Sequence, residues 1–140
     1  MRKSRIFLIG TYCAGFLFVP VNISAQTDFG VFWKRFKNAV LINDQAAVAG
    51  LTRFPLKMPF GVRSVTTKSE LLKGYDSIVN MEANAKRCFN ATQPRHEGDG
   101  YAIYCTFKQL PESSENRPIR YFFGQSETGW RFEGLDNINE

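Results

Sequence analysis

The sequence predicts an α+β domain in which N-terminal helices pack on an antiparallel sheet. Three observations carry this prediction. Phe29, Phe32, Trp33, Phe36, Ala39 and Val40 recur at offsets of three and four, the spacing of one helix face. Residues 101–109 alternate instead, with Tyr101, Ile103, Cys105 and Phe107 on one side and Ala102, Tyr104, Thr106 and Lys108 on the other. The helical periods come first and the alternating ones last, a segregation that distinguishes α+β chains from alternating α/β ones.

The first 25 residues read as an export leader. Arg2, Lys3 and Arg5 make a positive start, 6–21 is almost wholly apolar, and Ile23-Ser24-Ala25 ends on a small residue, the order of a cleavable secretory signal. An uncleaved anchor needs about 20 apolar residues. This run is interrupted by Gly10, Thr11, Gly15 and Pro20. Lipidation of Cys13 is disfavoured by Tyr12 and Gly10, where the processing signal wants a small residue and a Leu-like one. The expected product is a secreted or periplasmic chain of residues 26–140, a length that suits one domain, with no stable membrane anchor after processing.

The elements of that domain follow in order. Asp28 is a suitable N-cap for the aromatic helix, whose other face carries Lys34, Arg35, Lys37 and Asn38. Asp44 caps a second, small-sided helix running to Leu51. Pro55 disfavours helix at Phe54, so 54–65 is expected as extended chain at a sheet edge, turning at Pro59 and Gly61. Thr67-Lys68-Ser69-Glu70 has the capping-box spacing and opens a third helix over 69–80, weakened at Gly74. Residues 85–89 are expected as a further strand, and 93–100 as an exposed loop. The strands at 101–109, 119–124 and 130–135 then complete three antiparallel strands, the last two joined by turn residues at 125–129. One face of this sheet is expected against the first and third helices.

Charge and cysteines bound the chemistry. The chain has 18 basic and 13 acidic residues, net +5. Three basic residues leave with the leader, so 15 basic stand against 13 acidic, net +2. That balance gives no reason to expect nucleic acid or an anionic membrane as partner. Cys88 and Cys105 remain, and an even pair in an exported chain reads as a disulfide. Free thiols are the alternative. A redox or metal pair has the wrong spacing, and the sole histidine, His96, does not complete a zinc set, so no metal is expected.

The element order can now be read with its residues. The chain has Phe29-x-x-Phe32-Trp33-x-x-Phe36, Asp44-x-x-Ala47-Val48-Ala49-x-Leu51 and Arg53-Phe54-Pro55-Leu56. Later come Ser69-Glu70-Leu71-Leu72-x-x-Tyr75-Asp76 and Gly129-Trp130-Arg131-Phe132. This order resembles the cystatin-like α+β superfamily of the nuclear-transport-factor type, over nearly all of residues 26–140. The resemblance implies a curved sheet wrapped around the long helix to leave a cone-shaped pocket. It also implies two kinds of behaviour. Some members, such as ketosteroid isomerases and polyketide cyclases, do acid–base chemistry with an Asp or His on the inner sheet face. Many others bind, dimerise or assist a partner. Neither Asp76 nor Asp99 aligns to an enzyme motif, so the resemblance carries no catalytic residue over.

No nucleophile elbow, Walker loop, zinc-protease helix or dinucleotide fingerprint occurs. His96 sits among Gln93, Pro94, Gly98 and Gly100, the company of a solvated turn, and Glu97 and Asp99 lack calcium-loop spacing. Asn90-Ala91-Thr92 matches the glycosylation triplet, which matters only in a eukaryotic secretory pathway. The candidate ligand-binding residues are Arg53, Arg63, Arg120 and Arg131, in or beside expected strands, whose guanidinium forks suit a carboxylate or an acidic partner. Solvated strand arginines that discourage edge pairing are the structural alternative. The expectation is a non-enzymatic binding or accessory domain with no cofactor, taking a protein or small-molecule ligand, with a homodimer left open. A small cyclase- or isomerase-type pocket enzyme is one alternative, and an inhibitor or immunity protein for an exported toxin is another.

Overall fold

A computed structural model of the protein describes residues 28–140, so the leader expected at 1–25 lies outside the described residues. The chain runs α1 (Phe29–Leu41), α2 (Gln45–Gly50), β1 (Thr52–Lys57), α3 (Lys68–Lys73), α4 (Tyr75–Val79), α5 (Ala85–Ala91), β2 (Arg95–Glu97), β3 (Gly100–Cys105), β4 (Ile119–Ser126) and β5 (Gly129–Asn137). Side-chain caps start most helices. Asp28 Oδ1 accepts from Gly30 N at 3.1 Å, Asp44 Oδ1 from Ala47 N at 3.0 Å and Asn84 Oδ1 from Arg87 N at 2.9 Å. Thr67 Oγ1 caps α3 by accepting from Glu70 N at 3.1 Å, while Glu70 Oε2 reaches back to Thr66 N at 2.8 Å. Those bonds, from the Thr66 backbone first and its hydroxyl next, hold the Glu70 carboxyl below its ordinary range.

The helices lie over a five-stranded mixed sheet of order β1-β5-β4-β3-β2. Three expectations are corrected here. The extended edge segment expected over 54–65 is a strand from Thr52 to Lys57, and in a sheet expected to be antiparallel this β1 pairs parallel to β5, Thr52 opposite Phe132 and Lys57 opposite Gly134. Pro55 tolerates this because β1 is the outermost strand on that side. Residues 85–89 form helix α5, not a strand, because Asn84 caps good helix formers, Ala85, Lys86 and Arg87. Within 93–100, expected as loop, Arg95–Glu97 pairs with β3 as a short hairpin that turns at Gly98, φ +60°. The third helix is divided at Gly74 into α3 and α4. Opposite the Phe122–Phe123 step, β5 carries one residue more, Glu133, a bulge that bends the sheet.

The inward sheet face is apolar and closed. Ile103, Cys105, Ile119, Tyr121, Phe123 and Phe132 are each 0% exposed. From above, α1 contributes Phe29, Phe32, Trp33 and Phe36, and α5 contributes Phe89. The rings interlock mostly tilted or edge to face. Phe36 lies 5.2 Å from Phe123 and 5.4 Å from Phe132 between centroids, and Phe89 stands edge-on to Tyr121 at 4.9 Å. A Cys88–Cys105 disulfide fastens α5 to the end of β3. The buried Tyr121 hydroxyl donates to Val79 O at 2.6 Å, joining the end of α4 to mid-sheet. Among the described residues, no helix is long and apolar enough to cross a membrane.

Candidate binding site

The outer sheet face carries the charged side chains that alternation turns away from the core. Arg120 is the best held of the four candidate arginines. Its Nε donates to Asp136 Oδ1 at 3.0 Å, Nη2 donates to Asp136 Oδ2, and Nη1 donates to Glu97 Oε1. The Tyr104 hydroxyl donates to the other Glu97 oxygen. Burial raises the Tyr104 pKa first, and this bond to Glu97 raises it further. Chiefly through Asp136, the two carboxylates hold Arg120 more firmly protonated than a free guanidinium. The fork is thus occupied from within the chain. A groove of about 480 Å³ runs beside it, edged by Met58, Phe122 and Gly134.

The other three arginines do not gather around Arg120. Arg53 Nη1 pairs with Glu133 Oε1 at 2.9 Å. Arg131 turns onto its own strand end, donating to Trp130 O at 2.7 Å and Thr128 Oγ1 at 3.2 Å. Arg53 and Arg131 share one open recess of about 510 Å³ with Gln125, Ser126, Glu127 and Thr128. Arg63 lies in the loop between β1 and α3, well exposed, with Glu70 Oε1 at 3.7 Å. His96 is exposed on β2, edge-on to Tyr101 at 5.2 Å. Among the described residues no group of three or more His, Cys, Asp or Glu is placed to hold a metal ion.

A further cleft, among the helices, was missed by sequence reasoning. Its walls are the turn after α1, helix α4, the 80–84 segment, the start of α5, and Lys108, and its volume is about 350 Å³. Asn43 enters through a left-handed backbone, φ +58°, an angle asparagine tolerates better than most residues. Tyr75 comes from the first turn of α4 and is only 4% exposed, yet its hydroxyl finds no hydrogen-bond partner among the described residues. Burial, reinforced by Asp76 and Asp44, pushes its pKa up to about 12, so the phenol is a protonated donor at neutral pH. Around it the amides are held in place. Asn80 Nδ2 donates to Asp76 Oδ1 at 2.9 Å, and Asn80 Oδ1 accepts from Ala85 N at 2.9 Å. Lys86 and Lys108 border the cleft, and neither forms an ion pair among the described residues. Tyr75 belongs to the helical stripe with Leu71 and Val79, which hides it as a core residue. Nothing in the local pattern brings Lys108 across from the end of the third strand.

In comparisons with known proteins, no family model and no curated protein matches the chain. Several solved structures are similar to it. One is a candidate polyketide cyclase from Sinorhizobium meliloti, 12% identical, covering 76% of this chain and 92% of that one at a TM-score of 0.45. Another is an NTF2-like protein with a cystatin-like fold from Novosphingobium aromaticivorans, 12% identical, covering 76% of each chain at 0.40. A third is a protein of unknown function with a cystatin-like fold from Nostoc punctiforme, 10% identical, covering 78% and 86% at 0.40.

Proposed function

We propose that this chain is a non-catalytic binding or accessory domain that works outside the cytoplasm, through its surface clefts. One observation carries the reading: the space between α1 and the sheet is filled. A pocket enzyme of the cyclase or isomerase kind needs an acid or base facing an open interior chamber. Here the positions that would line it are Phe36, Phe89, Ile103, Tyr121, Phe123 and Phe132, each at most 1% exposed. The one phenol among them, Tyr121, is spent on Val79 O, and burial raises its pKa far above the ordinary value. The leader pattern and the bonded cysteine pair support a location in an oxidising compartment. The same filled interior is compatible with an inhibitor of an exported toxin, and a toxin gene adjoining this one would favour that form of the reading.

The test has two arms. Affinity capture from the native envelope is expected to recover a specific ligand or partner that a scrambled surface loses. Hydrolase and isomerase substrate panels are expected to show no turnover above background. Robust turnover that disappears on replacing one acidic residue would overturn the proposal. Mass spectrometry of the exported product is expected to begin at Gln26.

A further inference from the structure

We propose that the hairpin tip carrying Phe60 docks into the outer-sheet groove of a second copy of this chain, and that the two copies exchange tips reciprocally. This contact goes beyond the ligand-binding reading above and does not depend on it.

The tip is built to be held out. The chain leaving β1 folds back so that Val65 bridges Leu56, with Leu56 N donating to Val65 O at 2.8 Å and Val65 N to Leu56 O at 3.1 Å. Both residues are buried, and so is Pro59. Val62 N donates to Pro59 O at 3.0 Å, closing a turn whose third residue is left-handed, and Gly61 takes φ +76° there. Phe60 stands on that turn 90% exposed, with Val62 beside it 40% exposed. Single exposed apolar residues are ordinary on protein surfaces. Phe60 differs because a hydrogen-bonded turn on a packed root holds its ring away from the molecule, so little backbone freedom is left to lose when the ring is buried.

The receiving surface starts at the root of the same hairpin. Lys57 and Met58 form one wall of the groove beside Arg120, and Gly98 and Asp99, at the turn between β2 and β3, form the other. β1 and β2 are the two edges of the sheet, so the groove crosses its width, with Phe122 and Gly134 between the walls. Its volume of about 480 Å³ admits an aromatic ring with an aliphatic neighbour. Charge fits as well. Glu97, Asp99, Glu133 and Asp136 line the groove with Lys57 and Arg120, and Arg53, beyond the lining, pairs with Glu133. Four carboxylates against three cations leave one negative charge, and Asp99 forms no ion pair among the described residues. Residues 58–63 carry one charge, Arg63, whose side chain is 80% exposed.

Tip and groove are therefore complementary and contiguous parts of one patch. A two-fold axis beside such a patch places each tip in the partner's groove and closes the assembly as a symmetric dimer. An anionic lipid surface suits the ring and Arg63 but also meets the groove carboxylates, which it repels. A contact of two short tips stands at the small end of protein interfaces, so the association is expected to be reversible.

Protein expressed from the full sequence is followed by analytical ultracentrifugation over a concentration series. Wild type is expected to pass from monomer to dimer. Phe60→Ser and Asp99→Lys are each expected to weaken self-association about tenfold or more. Both are expected to unfold as dilute monomers at the wild-type temperature, because Phe60 lies outside the core and Asp99 has no ion pair to lose. An equimolar mixture of the two variants is expected to associate more strongly than either alone, since the intact tip of Asp99→Lys enters the intact groove of Phe60→Ser. A wild type that stays monomeric up to about 1 mM, the weak end of the affinity scale, would overturn the proposal. So would undiminished self-association of Phe60→Ser, or a mixture no stronger than its components. Sedimentation of a monomeric wild type with vesicles of phosphatidylglycerol and phosphatidylethanolamine, lost in Phe60→Ser, would overturn it in favour of a lipid surface.

Discussion

At the scale of single residues, two glycines on the outer sheet face meet very different neighbours. A Cβ at Gly100 would lie 2.4 Å from Phe123 O and 2.6 Å from the Phe122 ring. The first of these is backbone and has nowhere to go, so Gly100→Ala forces strand β3 off its partner. At Gly124 the nearest atom, 2.2 Å away, is a carboxylate oxygen of Glu133. That side chain can swing aside, and what it gives up is its partly exposed pair with Arg53, the kind of contact that contributes less than about 1 kcal/mol. Gly100→Ala is therefore expected to destabilise by about 2–3 kcal/mol and Gly124→Ala by under about 1 kcal/mol, read as the shift of denaturant midpoint at constant m. Equal costs would mean that the Phe123 carbonyl yields as readily as a side chain. Tyr75 supplies a second prediction at this scale. Its folded pKa of about 12 stands above the ordinary tyrosine value of 10.0, so the unfolded chain loses the proton first as pH rises. The stability that goes with the protonated phenol is complete below pH 10 and is lost between 10 and 12. Wild type should fall in stability relative to Tyr75→Phe across that window, by about 2–3 kcal/mol at its upper end, in chemical denaturation at fixed salt. Parallel curves would show that the phenol reaches water.

At the scale of elements, α5 and its tether decide how the sheet edge is held. The Cys88–Cys105 bond spans 17 positions and encloses the whole β2–β3 hairpin. Arg87, from the same helix, donates to Glu112 Oε1 at 2.8 Å and Leu110 O at 2.8 Å. Arg117 donates to Thr92 Oγ1 at 3.1 Å, across the loop that follows. The Cys88→Ala/Cys105→Ala double variant is expected to lose about 3 kcal/mol by the chain-entropy account, with amide exchange rising first in 85–105. Exchange rising uniformly would mean that the bond stabilises only through the unfolded state. This element also shows where sequence reasoning stopped. Ala85-Lys86-Arg87-Cys88-Phe89 is too short for periodicity to separate helix from strand, and only the cap at Asn84 distinguishes them. By contrast α1 declared itself through thirteen residues of unbroken stripe and a capping aspartate. The parallel β1–β5 pair was illegible for another reason: it joins residues 80 positions apart, and no local pattern reports a partner at that distance. For the same reason Arg53 met Glu133, and Lys108 came to the Tyr75 cleft, without any signal in their neighbours.

At the scale of the whole molecule, the packed interior and the polar clefts make separable claims, and one substitution distinguishes them. Phe36 is 1% exposed and its ring touches those of Phe32, Phe89, Phe123 and Phe132. Shortening it to leucine removes ring volume from the centre of the layer, and the surrounding rings relax only partly. The expected cost is about 1–3 kcal/mol, below that of full truncation to alanine, which reaches about 3–5 kcal/mol. The loss appears as a lower Tm with the transition still cooperative. If the surface clefts do the binding, the variant keeps its ligand affinity at temperatures where it is fully folded, because neither the Tyr75 cleft nor the outer groove includes Phe36. If instead the interior opens to admit a ligand, Phe36→Leu enlarges that chamber and affinity changes in step with the volume removed. Ligand titrations of wild type and variant, both well below their transitions, separate the two. A change in affinity of tenfold or more in Phe36→Leu would move the working site from the surface into the aromatic interior.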